Sequence, residues 1–371
     1  MPALRRRRPE EPEAPAGGTP STVPWALGTL LREGPAPLIP RAIAGDPLSV
    51  VLVLGPGHAT PADAGLPLEL LRALAAEAVD LEILMAEDLD DLDDDLPPPP
   101  AVEVTDGGAV RITRRADTPP AAAAASGDPS PPTAAAPRGP LAAADVVLAA
   151  GWSAAPAVLT APGVRARAVL ATAQAPPLAA LGWTAGVPVL GPAWLGGELP
   201  PGADKAYVPM PVHRREDLVL IHGEEPFGLL AAAELARRRE DLTFALSGVR
   251  PDLELPFPFL GAEPGAAGLA HAFASATVAL APPVRGWRPA AVAMLACGQV
   301  VVAPGDAAGR AALGDDTAVL AAGPLEAADA VERLLTDLTD RAERTRAGLQ
   351  RVTAGWSATA AALATALRAL P

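Results

Sequence analysis

Three short stretches bring together side chains and backbone suited to binding or moving charge. Gly55-Pro-Gly-His58 follows an apolar run and reads either as a phosphate-binding turn or as a purely structural one. Trp152 and Ser153 follow a buried strand, where the chain emerges at the carboxyl edge of a sheet. The indole there either stacks on a sugar ring or plugs a domain junction. Arg285, Gly286 and Arg288 stand just before an apolar stretch that begins with Pro289. Read one way they are an anion-binding turn; read the other they are solvated loop residues.

Other chemistries are disfavoured by what the spacing lacks. A dinucleotide fingerprint needs a third glycine at a fixed interval after Gly57, and Ala59 to Ala64 supplies none. The acidic run Asp88 to Asp95 has neither the interior glycine nor the closing glutamate of a calcium loop, so it reads as a solvated face. No Gly-x-Ser-x-Gly elbow is present. Cys297 is the sole cysteine, which rules out an intramolecular disulfide and a cysteine metal cluster and suits a reducing compartment. His213 and His271 read as structural, and nothing in their spacing singles out Trp183 or Trp194.

The elements around these stretches alternate strand and helix. Leu48 to Leu54 suits a buried parallel strand, a helix is expected near 66–78, and Leu81 to Met85 completes a β-α-β unit. Val102 to Val104 and Val110 to Thr113, around Asp106-Gly107-Gly108, read as a small hairpin; with the Ala-Pro-Ser stretch 116–140 it makes an insertion over 88–140. The alternation resumes at Asp145. It is clearest from 218 on, with strands at 218–221, 242–246, near 259, 277–281 and 300–303. Helices are expected at 227–239, 268–274 and 289–296, and two more, 327–338 and 353–370, close the chain. The fold class is therefore α/β, with two Rossmann-like domains facing across a cleft. The boundaries are a disordered tail at 1–47, a first domain at 48–212 and a second at 217–371, whose final helix is allowed to return to the first.

A formal net charge of -14 disfavours a nucleic-acid partner, because such binders present basic faces that displace counterions from phosphates. The one basic cluster, Arg5 to Arg8, precedes Glu10, Glu11 and Glu13 and has no apolar signal-like stretch beside it. A weak peripheral contact with anionic lipid is the role left to it. Residues 168–197 carry no charged side chain, yet Pro176, Pro177, Pro188 and Pro192 interrupt them, so they read as buried strands and turns rather than a membrane span.

Arg285-Gly-Trp-Arg-Pro-Ala-Ala-Val-Ala-Met-Leu-Ala-Cys-Gly-Gln-Val-Val-Val-Ala303 resembles the donor-binding segment of retaining GT-B glycosyltransferases, in which a glycine- and proline-rich turn leads into a helix, an Ala-x-Gly unit and a Val-Val strand. Leu242 to Gly248, Gly268 to Ala281 and Gly355-Trp-Ser357 follow that family's order, and Asp145 to Trp152 and Tyr207 to His213 match it more loosely. A rhamnan-type subset is the most similar. The resemblance implies a nucleotide-sugar as substrate, no cofactor and no metal. It also implies donor contacts from Arg285, Gly286 and Arg288, an acceptor side at Gly57, Trp152 and Ser153, and a base or hydroxyl-orienting role for His58.

The sequence departs from that pattern where the family carries two glutamates eight positions apart, since Arg285 and Ala293 occupy those places. Near the first strand of the donor domain the family's basic residues are replaced by His222-Gly-Glu-Glu-Pro-Phe227. Two functions follow. One is transfer of a hexosyl or deoxyhexosyl group from a nucleotide-sugar in surface-polysaccharide or glycan assembly, in the cytoplasm or at the inner face of its membrane. The other is a catalytically inactive scaffold of the same fold that binds a glycan or another glycosyltransferase.

Overall fold

The computed structural model describes residues 38, 47–86, 141, 144–161, 163–173, 187–248, 254–261 and 265–371. The expected tail apart from residues 38 and 47, the acidic run, the hairpin and the Ala-Pro-Ser stretch lie outside the described residues.

The protein consists of two α/β domains, each built on a parallel sheet. In the first, β1 (Leu48–Leu54) leads to α1 (Leu68–Ala75) and β2 (Val79–Met85). Then follow β3 (Val146–Ala150), α2 (Ala155–Thr160), β4 (Ala166–Leu170) and β5 (Val189–Leu190). The sheet order is β2-β1-β3-β4-β5. Every residue of β3 and β4 is buried, and β3 reads as an unbroken small apolar run, whereas β4 buries Arg167, whose guanidinium donates to the Leu159 carbonyl at 2.8 Å. In β1 the alternation is resolved by face: Val50, Leu52 and Leu54 point into one apolar cluster, Val51 and Val53 into another.

A crossing segment holds the short β6 (Gly202–Ala203). The second sheet takes β7 (Arg215–His222), β8 (Thr243–Ser247), β9 (Leu260–Gly261), β10 (Ala276–Leu280), β11 (Val300–Pro304) and β12 (Ala318–Ala321). Between them run α3 (Pro226–Arg238), α4 (Gly265–Ser275), α5 (Ala290–Ala296) and α6 (Ala307–Leu313). The order β12-β11-β10-β7-β8-β9 is that of a dinucleotide-fold sheet, and it reverses between β7 and β10. In the first sheet the reversal falls between β1 and β3. Ligands of open parallel sheets sit beyond the carboxyl ends of the strands at such reversals.

The chain closes with three helices where the sequence reading has two: α7 (Pro324–Thr336), α8 (Leu338–Arg351) and, after β13 (Thr353–Ala354), α9 (Ser357–Arg368). The missed helix α8 buries only Gly348 and so shows no apolar stripe. It is started by Asp337, whose carboxylate accepts from the Thr339 and Asp340 amides, and is braced by an Arg344–Asp340 pair at 2.7 Å. The expected strand at 218–221 extends to 215–222, and α6 and β12 are also additions to the sequence reading.

The last helix crosses to the first domain. It packs on α1, and the Arg368 guanidinium donates to the Glu77 carbonyl at 2.7 Å. β13 pairs in parallel with β6, which ties the chain's end to the crossing segment. One buried apolar cluster is consequently continuous from Val50 and Leu52 through Trp287, Trp356 and Leu363 to Leu220 and Val301. No helix among the described residues is long and apolar enough to cross a membrane.

Candidate functional site

The loop between β10 and α5 is fastened by tryptophans to the first domain. Trp287 is 2% exposed, and its Nε1 donates to the Ala171 carbonyl, just past β4, at 2.6 Å. Trp194, in a single 3-10 turn after β5, donates to the Gly286 carbonyl at 2.7 Å. Gly286 has φ of +61°, a conformation that glycine adopts at little cost, and it lets the chain turn between the two arginines.

Beside this loop lies a cavity of about 320 Å³ in the cleft between the domains. Arg288, Pro289 and Ala293 form one wall, His222 and Phe273 another, and Asp204, Tyr207 and Trp356 the floor. It lies beyond the carboxyl end of β7, at the reversal of the second sheet.

Asp204 organises the floor. Its carboxylate accepts from Trp356 Nε1 at 2.8 Å and lies 3.4 Å from Arg288 Nε. Arg288 also pairs through its terminal nitrogen with Glu69 of α1, an ion pair that spans the two domains. The Tyr207 ring stacks on Phe273, with centroids 5.7 Å apart, and burial, followed by the negative charge of Asp204, raises its hydroxyl above the usual tyrosine range. The phenol is therefore a hydrogen-bond donor at neutral pH.

His222 closes the second wall. Its Nδ1 lies 2.9 Å from Ser247 Oγ, and the ring meets Phe273 edge-on. Both residues end their strands, paired in register. Gly248, at φ +66°, passes so close that a Cβ there would sit 2.9 Å from the imidazole. Burial lowers the His222 pKa, because a low-dielectric site disfavours the charged ring. The neutral imidazole can give or take one hydrogen bond.

The sequence-derived candidates divide. Arg288 and Ala293 line the cavity, whereas Arg285 does not; its side chain is 75% exposed and lies 3.7 Å from Glu225. Gly57 is exposed at the tip of its turn, and the neighbouring His58 has a buried Nδ1 without a hydrogen-bond partner among the described residues. Ser153 packs against the base of that turn, since a Cβ on Gly55 would fall 2.1 Å from its Oγ. Trp152 donates to the Ala173 carbonyl at 3.2 Å. These four belong to the reversal of the first sheet, after β1 and β3. Asp204, Glu69, Tyr207 and the His222–Ser247 pair were not singled out by sequence reasoning.

The arrangement can therefore hold a polar ligand through neutral donors, aromatic faces and one guanidinium that is already paired. No carboxylate stands at position 285 or 293. Among the described residues no group of three or more His, Cys, Asp or Glu side chains is placed to hold a metal ion.

No family model matches the sequence, and no curated protein matches it. Solved structures do match the fold. Sucrose-phosphate synthase from Thermosynechococcus elongatus is 14% identical, covering 86% of this chain and 98% of its own, with a TM-score of 0.57. The Anabaena protein HepE, solved in complex with UDP and glucose, is 15% identical over 86% and 99% of the two chains, with a TM-score of 0.50. A glycosyltransferase from Rickettsia africae is 10% identical over 86% and 98%, also at 0.50. The architecture is that of the two-domain GT-B glycosyltransferases.

Proposed function

We propose that the protein is a glycosyltransferase-like protein that takes a nucleotide-sugar in the cleft between its domains, with the second domain holding the nucleotide and the first facing a glycan acceptor. The observation that carries this reading is the 320 Å³ cavity at the reversal of the second sheet, lined by Arg288, His222, Tyr207 and Trp356. Likeness to a fold whose member from Anabaena was solved with UDP and glucose supports the ligand class. In this reading the diphosphate draws Arg288 away from Glu69, and His222 and Tyr207 supply neutral hydrogen bonds. His58, Gly57, Trp152 and Ser153 face the acceptor. Without a glutamate at 285 or 293, transfer relies on His58 or on a group of the substrate to steer the reacting centre. The setting we infer is cytoplasmic assembly of a surface polysaccharide or other glycan, with no resident cofactor.

The second reading, a non-catalytic binding subunit of the same fold, is favoured by one observation. The arginine that lines the cavity, Arg288, already faces Glu69 and Asp204, and the exposed Arg285 faces Glu225. Titration calorimetry of nucleoside diphosphate sugars into the wild type, Arg285→Ala and Arg288→Ala tests the site, and hydrolysis or transfer of the bound donor tests catalysis. The transferase reading expects binding weakened about tenfold by Arg288→Ala, together with turnover. Binding without turnover selects the scaffold. Equal affinity in all three proteins removes both arginines from the site.

A further inference from the structure

A second cavity, of about 370 Å³, opens at the opposite edge of the second sheet, between the start of β7 and α8. Glu216 lies at that end of β7 and His222 at the cleft end, so at about 3.3 Å per residue the two cavities are roughly 20 Å apart along the strand. We propose that this second cavity is an oxyanion site that takes a phosphate monoester, with Arg214 and Arg341 holding the phosphate.

Two guanidinium groups converge on it. Arg214 is fixed by donating through Nη2 to the carbonyls of Cys297 and Gly298, at 3.2 and 2.6 Å. Those bonds satisfy the end of α5 and leave the cationic charge uncompensated. Arg341 reaches the cavity from the first turn of α8. Among the described residues neither arginine forms an ion pair, whereas Arg238, Arg239 and Arg344 of the same domain each face an acid. Burial lowers the Arg214 pKa, and the like charge of Arg341 lowers it further. Two facing cations without a carboxylate partner cost electrostatic energy that an anion between them would relieve.

Glu216 lines the same cavity without pairing with either arginine, so one negative charge stands against two positive ones. The remaining positive field suits an anion. A phosphate monoester carries about -1.5 to -2 at neutral pH and presents oxygens that the guanidinium fork can take two at a time. The Thr345 hydroxyl stands beside it as a further donor, whereas the Thr277 hydroxyl is already given to the Arg215 carbonyl at 2.7 Å. At about 370 Å³ the cavity has room for more than the phosphate group. Leu338, 60% exposed, and Ala342 provide an apolar wall for the organic part.

The test is titration calorimetry of the full chain with phenyl phosphate and with inorganic phosphate. Phenyl phosphate should bind, and inorganic phosphate should bind more weakly at the same place. Arg341→Ala should weaken phenyl phosphate about tenfold or more, and Glu216→Gln should strengthen both anions several-fold. Because Arg341 has no ion-pair partner to lose, its alanine variant should melt no lower than the wild type. Equal affinity for the two anions would overturn the monoester assignment. Absence of binding, or binding unchanged by Arg341→Ala, would overturn the site. Loss of binding in Arg288→Ala instead would move the ligand to the cleft and also refute it.

Discussion

Replacing Trp287 by phenylalanine tests whether the loop that shapes the cleft is held from the opposite domain. The indole is 2% exposed, and its Nε1 donates at 2.6 Å to the carbonyl of Ala171, itself fully buried. Phenylalanine keeps a ring but removes the donor, leaving a carbonyl out of reach of water at a cost of about 1–3 kcal/mol. The lost ring volume adds about 1 kcal/mol or more, because residues as well packed as Trp356, 6.4 Å away by ring centroids, cannot fully collapse into the gap. The sum is about 2–4 kcal/mol. For domains of this size each kcal/mol lowers the midpoint by about 2–4 °C, so calorimetry should show a fall of roughly 5–15 °C. Trp194→Phe acts on the same loop through Gly286. The double variant should therefore fall short of the sum of the singles by about 0.5 kcal/mol or more. A midpoint within about 1 °C of wild type for Trp287→Phe, or strict additivity with Trp194→Phe, would refute the idea that these bonds act together to hold the loop.

Gly202→Ala should destabilise by about 1–3 kcal/mol in chemical denaturation, since its Cβ would lie 2.6 Å from Trp356 Cε3, in a ring already tethered to Asp204. Cys297 is fully buried, and burial pushes its thiol up to about 12, so the native protein should resist a thiol reagent at pH 8 and react fully in denaturant. His222 is held neutral by burial, so the unfolded chain binds the proton more readily. Its contribution to stability is present above the ordinary imidazole value of about 6.5 and is lost as pH falls towards the lower folded value, and His222→Gln should flatten that part of a pH–stability curve. Glu69→Gln releases Arg288 from a half-exposed ion pair, so affinity for a nucleoside diphosphate should rise about two- to fivefold in calorimetry.

The parts of this fold that were legible in sequence are those whose burial leaves a local mark. Leu48 to Leu54 and Val300 to Ala303 are continuous apolar runs because parallel strands are covered on both faces. Helix α8 left no such mark, since its residues are charged and it is held by a cap and an i,i+4 pair. Of the segment Arg285 to Arg288 that the sequence singles out, only Arg288 lines the cavity, and Arg285 stands exposed beside Glu225. Trp287 and Trp194 bind backbone carbonyls 116 and 92 residues away, and Glu69 meets Arg288 across the cleft, so no spacing announces them. His222 and Ser247 were within reach, because both end apolar strands that pair in register. A strand-end alignment would have brought them together.

The claim that the cleft cavity holds a nucleotide-sugar is tested most directly by filling it. Ala293 lines the cavity and is only partly buried, so Ala293→Trp places an indole in the space while leaving the core beneath α5 intact. A thermal-shift titration with nucleoside diphosphate sugars should stabilise the wild type, by about 2.7 kcal/mol at a hundredfold excess over Kd, and leave the filled variant unmoved. Equal stabilisation of the two proteins, or no response of the wild type to any donor, would contradict the account.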